Sequence, residues 1–228
     1  MKHHPILTVM LTYNDLTVKN AYEIFDNCKN SLADFWGFKE EPLELYEMKE
    51  LFSYMKRCNK KTVLEVVSYD EESSLAGAEM AVQCDCDYLM GTVYSDTINT
   101  FCKAHNLKYL PFVGNVSERP SILEGDIDSM IAEAREYLSK GVFGIDLLGY
   151  RYIGNAKYLI ERFIHNISAP VCVAGSVNSM NRLDEIKQIQ PWSFTIGSAF
   201  FENCFGEGFP EQIDKICRYM QNTEKNYV

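Results

Sequence analysis

Residues 170–183 read PVCVAGSVNSMNRL, and residues 193–199 read SFTIGSA. In each, a short apolar run stops at a Gly-Ser pair, Gly175-Ser176 in the first and Gly197-Ser198 in the second. The polar segment between them turns into an amphipathic, helix-like stretch. One strand ending in Gly-Ser is an ordinary turn. Two such strands, separated by one helix, need a common cause, and a repeating strand–helix architecture supplies it by bringing both strand exits to the same edge.

Working outward, the same alternation fills the chain. ILTVML (6–11), DFWGF (34–38), TVLEVVS (62–68), DYLMGTV (87–93), KYLPFVG (108–114) and FGIDLLG (143–149) are each followed by a stretch with apolar residues at three- and four-residue spacing. With the two Gly-Ser strands this makes eight strand–helix units. The strands are near-continuous apolar runs, as expected of a parallel sheet buried on both faces. No linker rich in Pro, Gly or Ser interrupts them, so residues 1–228 read as a single domain. Eight units of this length predict a closed (β/α)8 barrel, a TIM barrel. An open doubly wound sheet would carry a glycine fingerprint after its first strand. Here that strand runs into Thr12-Tyr13-Asn14-Asp15.

Composition narrows the function classes. A hydrophobic fraction of 46% suffices for a large core, and the net charge of −10 opposes a nucleic-acid or anionic-membrane surface. The start, MKHHPILTVMLTYND, lacks a signal-peptide pattern, and no apolar run approaches ~18 residues. The eight cysteines are scattered, and Cys84 and Cys86 lack the spacing of a redox or zinc pair. Reduced core cysteines in a cytoplasmic protein are therefore expected.

In a barrel, the loops after strands seven and eight commonly bind phosphate. Glycine lets backbone N–H groups approach an anion, and Ser176 and Ser198 add hydroxyls. Gly175, Ser176, Gly197 and Ser198 are thus the expected phosphate rim. Here AGSVNSMNRLDEI (174–186) and FTIGSAFFE (194–202) resemble the C-terminal quarter of ribulose-phosphate-binding barrels. These include N-acetylmannosamine-6-phosphate epimerases and the phosphosugar isomerases of histidine and tryptophan biosynthesis. IDLLGYRY (145–152) is a weaker echo of the epimerase strand six. MLTYND, GFKEEPL and LEVVSYDEE are more similar to bacterial barrel proteins of unassigned activity. The resemblance implies a small phosphorylated substrate. Ala174 stands where the epimerases carry glutamate, no Asp-x-Lys-x-x-Asp motif of the decarboxylases is present, and strand five ends in Gly114-Asn115 rather than aspartate.

Barrel chemistry comes from strand ends on the same face as the rim. Lys39 closes strand two, and Glu65 interrupts the apolar run VLEVV of strand three. A carboxylate there is costly to bury unless paired. The two are expected to meet within about 3 Å, directly or through one water. They form either a catalytic pair or a structural ion pair. Asp146, on strand six, is a third candidate. Asn14 and Asp15 either act on substrate or cap the next helix. Arg151 either binds phosphate or makes a surface salt bridge. Glu118 and Arg119 lie in the longest irregular segment, NVSERPSILEG (115–125), a candidate lid whose Arg119 can reach substrate. His3, His4, His105 and His165 lack metal-ligand spacing. No metal or other cofactor is expected, except Mg²⁺ carried by substrate phosphate.

Three functions fit these residues. The first is a phosphosugar isomerase or epimerase that abstracts a proton next to a carbonyl, with Lys39, Glu65, Asp146 and Asp15 as catalytic groups. The second is a class I aldolase or other lyase with Lys39 as Schiff-base lysine. Glu40 and Glu41 count against that reading if they face inward. The third is a non-catalytic phosphometabolite-binding protein. A small phosphorylated substrate is the expected partner in each, and a homodimer is an open alternative to a monomer.

Overall fold

In the computed structural model, residues 4–222 are described, and His3 lies outside them. Eight parallel strands carry the fold: β1 (Ile6–Met10), β2 (Phe35–Lys39), β3 (Lys61–Ser68), β4 (Tyr88–Thr92), β5 (Lys108–Leu110), β6 (Ile145–Leu147), β7 (Val171–Val173) and β8 (Ser193–Ile196). Their order in the sheet is β6-β7-β8-β1-β2-β3-β4-β5. The seam between β5 and β6 is bridged by Phe112 and Asp146 and by Asp146 N–H donating to Pro111 O at 3.0 Å. The sheet therefore closes into the expected (β/α)8 barrel.

The helices are α1 (Ala21–Cys28), α2 (Leu45–Arg57), α3 (Glu71–Gln83), α4 (Asp96–Ala104), α5 (Ile127–Ser139), α6 (Ala156–Asn166) and α7 (Met180–Ile189), then the four-residue α8 (Ser198–Phe201) and α9 (Phe209–Gln221). Their starts are written locally. Asp70, Asp126 and Ser179 accept from backbone N–H groups three residues on, and Glu44 and Glu47 form a capping box. Each such cap is worth about 1 kcal/mol. None of the described helices is long and apolar enough to cross a membrane.

Alternation along the strands sorts the core in two. Outward residues such as Val9, Trp36, Phe38, Leu64, Leu89 and Phe194 pack under the helices in one large cluster. There Phe38 stacks on Phe52 of α2 at 4.1 Å between ring centroids. Each such fully buried ring contributes about 1.5–3 kcal/mol. Inward residues Val63, Tyr88, Met90, Leu110 and Cys172 form a second cluster with Phe35, Phe143 and Trp192. The four aromatics come from strands two, four, six and eight, at or just before the strand starts. Phe35 lies 5.7 Å from Trp192, and Phe143 lies 5.6 Å from both Tyr88 and Trp192. They plug the N-terminal end of the barrel, so the opposite end is left for a cavity.

Two short hairpins sit at that opposite end. Thr12–Tyr13 pairs with Leu16–Thr17, and Asn115–Ser117 pairs with Ile122–Glu124. The segment expected to be irregular, 115–125, is thus largely an antiparallel hairpin. Val116 and Leu123 are its buried pair.

Candidate active site

The first hairpin brings the site together. Its two-residue turn is Asn14-Asp15, both at positive φ, 50° and 67°, the backbone that such a tight connection demands and that Asn and Asp tolerate. These residues do not cap α1, whose N-cap is Asn20. The hairpin is docked on the end of β2. Thr17 Oγ1 donates to Lys39 O at 2.8 Å and accepts from Lys39 N–H at 2.9 Å, and Thr17 N–H donates to Glu41 O at 2.8 Å. The turn thereby lies over the Lys39 side chain, whose Nζ donates to Asp15 Oδ1.

Lys39 and Glu65 are register partners on β2 and β3, and both point into the barrel mouth. Their charged ends are 3.7 Å apart, an ion pair rather than the expected hydrogen bond of about 3 Å. Asp15 is the closer partner. Burial disfavours the ammonium of Lys39, but Glu65 and then Asp15 outweigh it and hold its pKa above the ordinary value. Burial also raises the pKa of Glu65, only partly offset by Lys39. Both groups therefore grip their protons more tightly than in water. Glu40 does not face the cavity: its Oε1 accepts from Val67 N–H and from Arg119.

These groups open onto a cavity of 280 Å³ whose far wall is the Gly-Ser rim. Gly175, Ser176, Gly197 and Ser198 all line it, as do Asn14 and Arg151. Gly175 has φ of +81°, and a Cβ there would stand 2.5 Å from Arg151 Cγ. At Gly197 a Cβ would meet Thr12 Oγ1 at 2.5 Å, so that turn needs glycine for close approach. Arg182 holds the first turn from behind, donating to Ser176 O and to Asn178 Oδ1. Among the described residues, no protein acceptor meets the N–H groups of Ser176, Val177 or Ser198. Nor is Arg151 in any ion pair or side-chain hydrogen bond among them, in contrast to the salt bridge considered from sequence. An unpaired guanidinium next to unused N–H donors is chemically suited to a phosphate.

Two of the expected residues are not at the cavity surface. Arg119 is tied down by Glu40 at 2.6 Å, Glu41 at 3.3 Å and Val67 O at 2.8 Å. Its hairpin contributes Pro120 and Ser121 to the cavity wall instead. Tyr69 Oη donates to Glu118 O at 2.7 Å, fastening the hairpin tip to the loop after β3. Asp146 is fully buried, in register with Cys172, and neither of its carboxyl oxygens has a hydrogen-bond partner among the described residues. Burial, and next the charge of Glu65, push its pKa well above the carboxylate range. His105 and His165 sit at helix ends away from the cavity. No three His, Cys, Asp or Glu side chains among the described residues converge as a metal site.

Sequence reasoning missed Thr12, Thr195, Asn178, Ser121 and Glu202 on the cavity wall. Thr195 carried a usable signal, being two residues before Gly197 and so on the inward side of β8. Ser121 did not, because its place depends on a hairpin fold-over.

No known family description matches the chain, and neither does any curated protein. Solved structures do resemble it. The orotidine 5'-phosphate decarboxylase of Pyrococcus horikoshii has a TM-score of 0.67 at 10% identity, over 96% of this chain and 100% of that one. A native KDPGal structure gives 0.69 at 10% identity, over 97% and 98%. A tryptophan synthase from M. tuberculosis gives 0.67 at 13% identity, over 96% and 93%. This chain shares their barrel fold over nearly its whole length.

Proposed function

We propose that the chain is an enzyme acting on a small phosphorylated metabolite, an isomerase or epimerase that moves a proton at a carbon next to a carbonyl. The observation that carries this reading is one cavity with Lys39, Glu65 and Asp15 at one side and, at the other, two Gly-Ser turns and Arg151, which pairs with no carboxylate among the described residues. The names of two structural neighbours, an orotidine 5'-phosphate decarboxylase and a synthase, support an enzyme of this general kind.

The division of labour follows from the charges. Arg151 and the N–H groups near Ser176 and Ser198 hold the phosphate. Lys39 stays an ammonium between two carboxylates and donates to the carbonyl oxygen, stabilising the charge that develops there. Glu65, its pKa raised by burial, takes the neighbouring carbon's proton as a carboxylate and returns it from the same side to the adjacent carbon. Inversion at the first carbon needs a second acid on the opposite face. Asn14 orients a substrate hydroxyl. Asp146 shapes the field below Glu65 without touching substrate.

A Schiff-base lysine must shed its proton to attack a carbonyl. The acidic partners of Lys39 oppose that, so the lyase reading is the weaker one. Incubating the chain with phosphoketoses in deuterated water and following carbon-bound deuterium tests the proposal. Exchange supports it. Reductive trapping of substrate on Lys39 by borohydride would replace it with the lyase. Tight binding with neither outcome would leave a non-catalytic binder. Any Mg²⁺ would enter on substrate phosphate. The eight cysteines, all free thiols, support a reducing, cytoplasmic setting.

A further inference from the structure

The charges facing the cavity are unevenly divided between its two ends. Two cations line it, Lys39 and Arg151, against three carboxylates, Asp15, Glu65 and Glu202. Among the described residues Arg151 has no carboxylate partner, and it stands beside Gly175 at the rim. Lys39 is already committed to Asp15 and Glu65. Glu65 binds its proton more tightly than an ordinary glutamate. The Lys39 end thus sets two acidic side chains, Asp15 and Glu65, around one ammonium, with the exposed Glu202 at the mouth.

The Asp15 carboxylate is the most specific feature here. Oδ1 accepts from Lys39, Oδ2 has no hydrogen-bond partner among the described residues, and the side chain, 18% exposed, lines the cavity with acceptor capacity to spare. A carboxylate oxygen only accepts hydrogen bonds. A ligand hydroxyl satisfies it. A ligand carboxylate cannot, and would be pressed against a like charge whose one nearby cation is already shared.

We propose that Asp15 is the specificity-determining residue of this site: its carboxylate, which lines the cavity, accepts a hydrogen bond from a substrate hydroxyl at the end remote from the phosphate. The substrate is then a phosphorylated polyhydroxy compound with no carboxylate at that end. This rests on the phosphate reading above and adds to it the nature of the opposite end.

A matched pair of probes tests it. Arabitol 5-phosphate and arabinonate 5-phosphate share a five-carbon skeleton and a phosphate, and differ in having CH₂OH or COO⁻ at carbon one. Their binding to the full chain is measured by titration calorimetry beside inorganic phosphate. The polyol should bind at least ~10-fold more tightly than the aldonate. In Asp15→Asn that preference should shrink to within about 3-fold, because the repulsion is removed while an acceptor oxygen remains.

Equal affinities, or a tighter aldonate, with inorganic phosphate bound would overturn the assignment and leave the phosphate anchor standing. So would a chain that binds inorganic phosphate but not the polyol. A preference unchanged in Asp15→Asn would remove Asp15 as its cause, and a preference lost in Glu202→Gln but not in Asp15→Asn would transfer it to the mouth. No binding of any of the three would bring down the phosphate reading, and this inference with it. The wild-type comparison stands even if Asp15→Asn fails to fold.

Discussion

The two ends of the barrel solve opposite problems with the same strands. At the N-terminal end, Phe35, Tyr88, Phe143 and Trp192 fill the interior ring against ring. Lys108 there is capped onto Tyr88, its Nζ 4.6 Å from the ring centre. At the C-terminal end the interior is charged, and Asp15, Lys39 and Glu65 leave a cavity instead of a packed layer. Moving up β3 by two residues, from Val63 to Glu65, passes from one regime to the other. Apolar packing is concentrated at one end and charge at the other, so substitutions at the two ends should separate cleanly.

The sharpest separation is expected at Lys39. Lys39→Met keeps most of the side chain's volume and removes its proton, so carbon-bound deuterium exchange should fall by about 100-fold or more. Anion binding measured by calorimetry should be nearly unchanged. A large loss of anion affinity would mean that Lys39, not Arg151, is the anchor.

The mirror experiment is at the plug. Tyr88→Ala empties a position that is 4% exposed and should cost about 3–5 kcal/mol in denaturant unfolding. The protein that remains folded should bind phosphate as tightly as before. A binding defect per folded molecule would show that the two ends are mechanically coupled.

A smaller effect is expected at the rim. Arg151→Met should weaken inorganic phosphate by ~10–100-fold, the equivalent of about 1.5–3 kcal/mol for charge-assisted hydrogen bonds. The unfolding midpoint should hardly move, since no other described side chain depends on that guanidinium. Gly175→Val, which drives a side chain into Arg151 at positive φ, should do the same with an added stability cost.

The smallest effect concerns Asp146, between the two ends. Its pKa is raised in the folded state. As pH climbs past the unfolded value of about 3.9, the unfolded chain releases this proton and the folded chain keeps it, so wild-type stability declines until the folded value is reached. Asp146→Asn has no proton to lose. Its urea midpoint should be higher near neutrality and depend less on pH between roughly 4 and 7. Glu65, raised in the same sense, leaves a residual slope. Identical pH profiles for the two proteins would mean that Asp146 is solvated or paired.

What was legible in the sequence follows the same division. The barrel could be read because strands buried on both faces stay apolar throughout, and because glycine must recur where a turn packs closely, as at Gly175 and Gly197. Lys39 and Glu65 were visible as charges inside apolar runs. The partner of Lys39 was not, because Asp15 arrives from another strand through a hairpin only six residues long. The run Asn14-Asp15 between Thr12-Tyr13 and Leu16-Thr17 did carry a turn signal, but its short arms give little alternation to read. Arg119 was misplaced for a related reason. Whether a loop arginine faces a cavity or a neighbouring loop depends on Glu40 and Glu41, far away in sequence, and on the hairpin that aims it.

Thr17 grips the backbone of the same residue whose ammonium Asp15 holds. Main chain and side chain of Lys39 are therefore oriented by one short loop, on a strand end that is itself part of a closed sheet. In water, a proton transfer waits for dipoles and counter-ions to reorient around the moving charge. Around Lys39 the counter-charges are set when the chain folds, so in the proposed reaction an arriving carbonyl would meet a donor that needs no such reorientation.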